Sequence, residues 1–267
     1  MKHLGGAVGA LIALAAVPLS TSGFAACRAQ SGASTAALVE LYTSEGCSSC
    51  PPADRTLAHI GSALDPGAAV VPLALHVDYW DAIGWKDPYA LPALGERHNW
   101  LVHANGHKTA YTPHFFVSGS ELAPGGDDLR RAVRHINANP PRAQIQLRAD
   151  PAGSGALALD VAASAPSIDG DLALYVAVTE NQLVSHVTRG ENGGATLAHD
   201  HVVRAWTGPL ALSGGMAHLQ QDIALPAQVH RANLDVVAFV QDRKSGEVLQ
   251  AVAAESCALA VSPGTAR

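Results

Sequence analysis

Two of the four cysteines stand three residues apart in "TSEGCSSCPPAD", Thr43 to Asp54. Cys47 and Cys50 could act as a redox pair, contribute to a metal site, or form a small staple. Exchange chemistry needs a thiolate, and a thiol of pKa about 8.5 is only about 3% ionised at pH 7. Lowering that value by about two units takes about 2.7 kcal/mol of preference for the anion. A helix N-terminus supplies up to about 1 kcal/mol, so backbone N–H groups must add to it. For Cys47, as nucleophile, the amides of Ser49 and Cys50 are the candidate donors, and Cys50 is the resolving thiol. Pro51 and Pro52 lack N–H groups and suit a first helical turn. Glu45 opposes the thiolate if it points inward.

The alternatives stay open on these residues. Zinc wants four ligands, and no second C-x-x-C exists; His107 and His114 could help, but nothing in the sequence fixes that geometry. A copper carrier built on Cys47, Cys50 and His76 is the better metal reading, because soft thiolates suit Cu(I). The exchange reading itself needs no cofactor. A structural bridge within a non-enzymatic binding module is the third reading, but the tiny Cys47–Cys50 loop contributes about 2 kcal/mol against about 5 kcal/mol for a Cys27–Cys257 closure. Cys27 and Cys257 are therefore the candidate structural disulfide. The rival role for Cys27 is a lipid anchor, with Phe24 standing where a Leu-like residue is usual.

Other residues gather around this pair in the sequence. "HVDYWDAIGWKDP" places His76, Asp78, Trp80 and Trp85 just past a strand end, where open α/β sheets bind ligands. With Glu45 they are the expected wall of a substrate site. Thr112-Pro113 precedes the strand "HFFVSG", where a cis bond would leave a backbone edge free for a partner peptide. In "HDHVVR", strand alternation puts His199 and His201 on one face and Asp200 on the other, which reads as a polar strand face ahead of a pair of metal ligands. "TRGENGG" reads as a loop without assignable chemistry.

The elements that must position these groups change character midway. "AALVELYT", "AVVPLALHVDYW" and "HFFVSG" read as strands, alternating with helices over "ADRTLAHIGSAL", "LPALGERHNWLVHANG" and "DLRRAVRHINA". "NANPPRAQ" reads as a linker. Beyond it six segments alternate apolar and polar residues between turns, the pattern of an antiparallel sandwich, with "DRKSG" as a hairpin turn. Residues 1–26 read as a signal peptide: Lys2, then an apolar run from Val8 to Val17, then small residues ahead of Cys27. That predicts export to the periplasm or beyond, where disulfides persist. The 267 residues are 48% hydrophobic and 15% charged, with net charge -6, which argues against nucleic acid as a partner. After the signal, no segment is long and apolar enough to span a bilayer.

Strand, C-x-x-C, helix and a later Thr-Pro before a strand resemble the thioredoxin fold. More narrowly, "VELYTSEGCSSCPPAD", "HVDYWDAIGWKDP", "YTPHFFVSG" and "RGENGGATLAHDHVVR" resemble the DUF1223 family of secreted bacterial proteins. The resemblance implies a thioredoxin-like α/β domain over residues 32–138 and an antiparallel β-sandwich-like domain over 142–262. It also implies a cis Thr112-Pro113 bond that supports the bound partner. The family brings no activity. Glu40 is the nearest counterpart to thioredoxin's buried acid but lies one residue off, on the other strand face. The expectation is thiol–disulfide exchange with a protein or small-molecule thiol.

Overall fold

The computed structural model describes residues 27–122, 126–153, 155–166 and 170–255. The expected signal peptide and Cys257 lie outside them. Strand β1 (Cys27–Gln30) and β2 (Ala37–Thr43) precede a helix in two pieces, α1 (Pro51–Ala58) and α2 (Ile60–Ala63). Next come β3 (Val70–His76), α3 (Pro92–Ala104), β4 (His114–Val117), β5 (Ser120–Glu121) and α4 (Gly126–Asn137). The rest is strand apart from one 3-10 turn: β6 (Gln144–Ala152), β7 (Ala156–Ser164), β8 (Leu172–Glu180), β9 (Leu183–His186), β10 (Thr196–His199) and β11 (Val202–Ala211). β12 (Met216–Ala224), β13 (Leu234–Asp242) and β14 (Val248–Ala254) complete it. Among the described residues no helix is long and apolar enough to cross a membrane.

The expected thioredoxin-like α/β domain followed by a separate sandwich is not the fold. The chain is mostly β, and its largest sheet takes strands from both halves in the order β14-β13-β8-β11-β3-β2-β4-β5. The seam is a parallel contact of β11 with β3, Val202 opposite Ala74, where Ala74 N–H donates to His201 C=O at 2.9 Å. A four-stranded antiparallel sheet, β1-β6-β7-β12, and a two-stranded one, β10-β9, complete the framework. The first-half pattern of alternating strands and helices does not reveal that β3 has a further neighbour 128 residues away, because such pairing is non-local.

Three apolar clusters explain the burial of each element. On one face of the large sheet, Leu94, Leu101 and Val102 of α3 pack on Leu38, Tyr42, Leu73, Phe116, Tyr175 and Phe239. The other face is divided. Over β8, β13 and β14 it meets the four-stranded sheet, whose inward residues Ile145, Leu147, Leu157, Leu159 and Val161 alternate with outward ones. Over β2, β3 and β4 it meets α1, α2 and α4 through Ala53, Leu57, Ile60, Leu129 and Val133. Covered on both sides, β2 is buried at all seven positions, which is why it reads as a continuous apolar run. A fully buried side chain of Leu or Phe size contributes about 1.5–3 kcal/mol.

A buried ion pair sits inside this core. Arg97 of α3 donates to both carboxylate oxygens of Glu40 on β2, at 2.7 and 3.0 Å, and to Gln241 Oε1 on β13 at 3.0 Å. Its guanidinium carbon lies 5.0 Å from the ring centroids of Tyr175, Trp206 and Phe239. Glu40 thus faces α3, away from the helix that follows the cysteines.

Candidate functional site

Cys47 and Cys50 are joined in a disulfide in the turn between β2 and α1. The proline pair fixes the helix start: Cys50 is the residue before α1, and its carbonyl accepts the N–H groups of Ala53 and Asp54 at 2.8 and 3.1 Å. Neither cysteine is open to solvent in this closed state, since Cys47 is 1% exposed and Cys50 0%. Nor is the Cys50 amide free to serve the sulfur, because it donates to Cys47 C=O at 3.2 Å. The sulfur's near neighbour is Ser49 Oγ at 3.3 Å.

The turn is clasped by the far half of the chain. Asn192 Nδ2 donates to the carbonyls of Glu45 and Cys47, at 2.8 and 3.0 Å. Glu191 Oε2 accepts the Ser48 N–H at 3.0 Å. Gly190, at φ +75°, runs beside Trp85, where an added Cβ would come 3.0 Å from the Trp85 Cβ. This is the work of the "RGENGG" loop, to which sequence reading assigned no chemistry. Such long-range clamps leave no local signature.

Beneath the cysteines lies a buried polar group. Glu45 accepts from Trp85 Nε1 at 2.8 Å and meets His199 Nε2 at 3.0 Å. Its own N–H donates to Asp87 Oδ2 at 2.8 Å, and the same oxygen meets His76 Nδ1 at 2.7 Å. The His76 and His199 rings stand edge to face at 5.1 Å. His76 Nε2 is buried without a partner. Burial pulls His76 down, but Asp87 more than reverses this, so His76 titrates above its ordinary 6.5. Burial pushes Asp87 up, and the His76 pairing with the amides of Glu45 and Tyr89 overcomes it, so Asp87 sits below its ordinary value. Asp54, one helical turn after Cys50, accepts from Thr43 Oγ1 at 2.7 Å. Burial raises its pKa despite the opposing pull of His76 and His199.

Glu45, His76 and Trp85 are therefore brought together beside the pair. Trp80 packs over Gly46, where a Cβ would lie 3.3 Å from the Trp80 Cβ. Asp78 points elsewhere, its Oδ1 so close to Gly95 of α3 that a Cβ there would come within 2.6 Å. The Thr112-Pro113 bond is cis and leads into β4, whose His114 pairs with Tyr42 near the end of β2. Thr112 Oγ1 is buried and unpartnered. His199 and His201 do not share a strand face: β10 ends at His199, and His201 takes φ +60°. His199 turns to Glu45, while Asp200 accepts the Gln182 N–H. Asp54, Asp87 and Asn192 were not singled out as site residues from sequence, and His199 was weighed only together with His201.

A second polar chain runs on the α3 face. Tyr79 Oη lies 3.4 Å from His98 Nδ1, His98 Nε2 2.9 Å from His114 Nδ1, and His114 Nε2 3.0 Å from Glu121 Oε1. Burial and neighbouring His114 push His98 down to about 3, so it is neutral at pH 7. Among the described residues, no group of three or more His, Cys, Asp or Glu is arranged to hold a metal ion. Cys27 is disulfide-bonded, and its expected partner Cys257 lies outside the described residues.

Comparison with known proteins gives a family and a fold. The family model described as "Protein of unknown function (DUF1223)" matches residues 38–241. Curated proteins provide no match. HBP35 of Porphyromonas gingivalis is similar in structure, with TM-score 0.67 at 17% identity, over 88% of this chain and 79% of that one. Protein AGR_C_4864 from Agrobacterium tumefaciens is similar with TM-score 0.56 at 24% identity, over 85% of this chain and 96% of that one. At these identities the likeness is one of fold.

Proposed function

We propose, from the premise that the chain belongs to the DUF1223 family of proteins of unknown function, that Cys47 and Cys50 form a reversible disulfide exchanging with thiols. The observation that carries this reading is a disulfide closed at a helix start with a buried acid, Asp54, one turn behind it. A partner thiolate attacks Cys47 Sγ, the Cys47–Cys50 bond breaks, and Cys50 leaves as a thiolate that takes a proton. Asp54, raised by burial, is the group suited to give it. A second partner thiolate then attacks the partner sulfur of the mixed disulfide and releases Cys47. Two partner thiols are oxidised to a disulfide, and the protein pair is reduced to a dithiol; the reverse direction uses the same atoms.

This route requires the turn to open, since both cysteines are buried in the closed form and the 189–195 loop clasps the turn's backbone. Export through residues 1–26 would place the pair in an oxidising compartment, where its resting state is the closed disulfide. The same burial favours a second reading, in which the bond is a structural staple.

Equilibration in graded thiol buffers, read by alkylation and mass, separates the two. A redox-active pair titrates between about -120 and -270 mV, whereas a staple lies below about -300 mV. Cys50→Ser should in addition trap a mixed disulfide at Cys47, and its failure to do so would remove the exchange reading.

A further inference from the structure

Among the described residues, the strand edges are short, covered or interrupted, with one exception. β5 ends the large sheet with two residues, and β1, β9 and β10 have four each. β14, at the other end, is covered: Ala36 N–H donates to Gln250 Oε1 at 2.8 Å, Arg142 N–H to Leu249 C=O at 3.4 Å, and Val248 N–H to Ser118 C=O at 3.1 Å. β11 beyond Val202 is broken by two register shifts and by Pro209, which has no N–H to offer. β12 differs. It pairs nine residues for nine with β7, without a bulge, and ends its sheet. Its sequence, "MAHLQQDIA", has no proline, lysine or arginine, the usual means of blunting such an edge.

We infer that β12 is the docking strand for a second copy of this chain, joined antiparallel about a two-fold axis through Gln220. A continuous sheet keeps inner faces together, so paired residues must share a face. Ala217, Leu219 and Ile223 face the core between the sheets, the first two only half-covered. His218, Gln220 and Asp222 face outward. Full nine-residue overlap then occurs in one register, with Gln220 opposite itself. That register sets His218 opposite the partner's Asp222, twice by symmetry, and Ala217 opposite the partner's Ile223. His218 thus finds a carboxylate and Ala217 an apolar residue, while half-covered Leu219 lies opposite the partner's Gln221. The outward residues are already held for this: His218 Nε2 lies 2.7 Å from Asp160 Oδ1, and Gln220 Nε2 donates to Asp160 Oδ2 at 3.3 Å. Joining two four-stranded sheets into one of eight also covers half-buried Leu210 and Leu212 at the open side of the sandwich.

Sedimentation of the full chain tests this, with three variants. The wild type should show a concentration-dependent doubling of mass. Gln220→Lys sets two ammonium groups against each other on the axis and should weaken the dimer by about tenfold or more, leaving the monomer's melting temperature unchanged. Gln220→Cys should cross-link covalently on mild oxidation. Gln146→Cys, exposed on the same outer face two strands away, should not. A wild type that stays monomeric overturns the proposal, as does a Gln220→Lys dimer of undiminished strength, or equal cross-linking by the two cysteine variants.

Discussion

His76 and Asp87 make a buried pair whose two shifts bound a pH window. His76 holds its proton more tightly when folded, so the stability it contributes is full below its ordinary 6.5 and drains away as pH rises through the higher folded value. Asp87 contributes above its ordinary 3.8, and loses that as pH falls through its lower folded value. Melting temperature should therefore decline on the alkaline side of pH 6.5. Asp87→Asn should abolish that step while costing about 3 kcal/mol. Melting curves from pH 5 to 9 check this, and an alkaline decline that survives the substitution would assign it elsewhere. Asp54→Asn keeps an acceptor for Thr43 but cannot give a proton, so exchange at pH 7 should slow by about 10²-fold with the reduction potential little moved. Stopped-flow fluorescence reads the rate, and an unchanged rate would exclude Asp54 from the step. Cys47, Cys50, Glu45, His76 and Trp85 were legible because short motifs carry them. Asp87 ends the very motif that supplied His76, yet nothing local says which carboxylate the imidazole will meet.

At the scale of elements, the loop at 189–195 controls the cysteines. Asn192 supplies two of its bonds to the turn. Asn192→Ala removes both at roughly 0.5–1.5 kcal/mol each, so reduction of the disulfide by a small thiol should quicken by about tenfold. Quenched alkylation followed by mass measurement gives that rate, and parity with the wild type would mean that other contacts hold the cover. The strands were legible by their period: β6 and β7 alternate in burial along their length. Helix α1 was marked by Pro51 and Pro52. The left-handed turn at His201 was not, since alternation extrapolated through Asp200 ignores a reversal of the chain.

For the whole molecule, the seam between β3 and β11 makes one sheet of both halves. Arg97 reinforces it by touching β2, β8, β11 and β13 at once. Glu40→Gln leaves that buried cation uncompensated and should cost about 3–5 kcal/mol, measurable by urea unfolding. A loss below about 1 kcal/mol would mean that the aromatic rings and Gln241 suffice. Sequence periodicity located the longer strands of both halves, but it missed the short strands β1, β5, β9 and β10. It could not show that they share a sheet, because the joining residues, Ala74 and Val202, are ordinary apolar side chains with no mark of their neighbour.

The cover over the cysteines also has a history in time. Glu191 follows Ser48 by 143 residues, so at ordinary synthesis rates the nascent chain carries an unshielded thiol pair for about 7 to 30 seconds. For as long as the distant segment has not folded onto the turn, whatever oxidant first closes the ring can reach it without opening anything, and only the finished polypeptide shuts the door behind it.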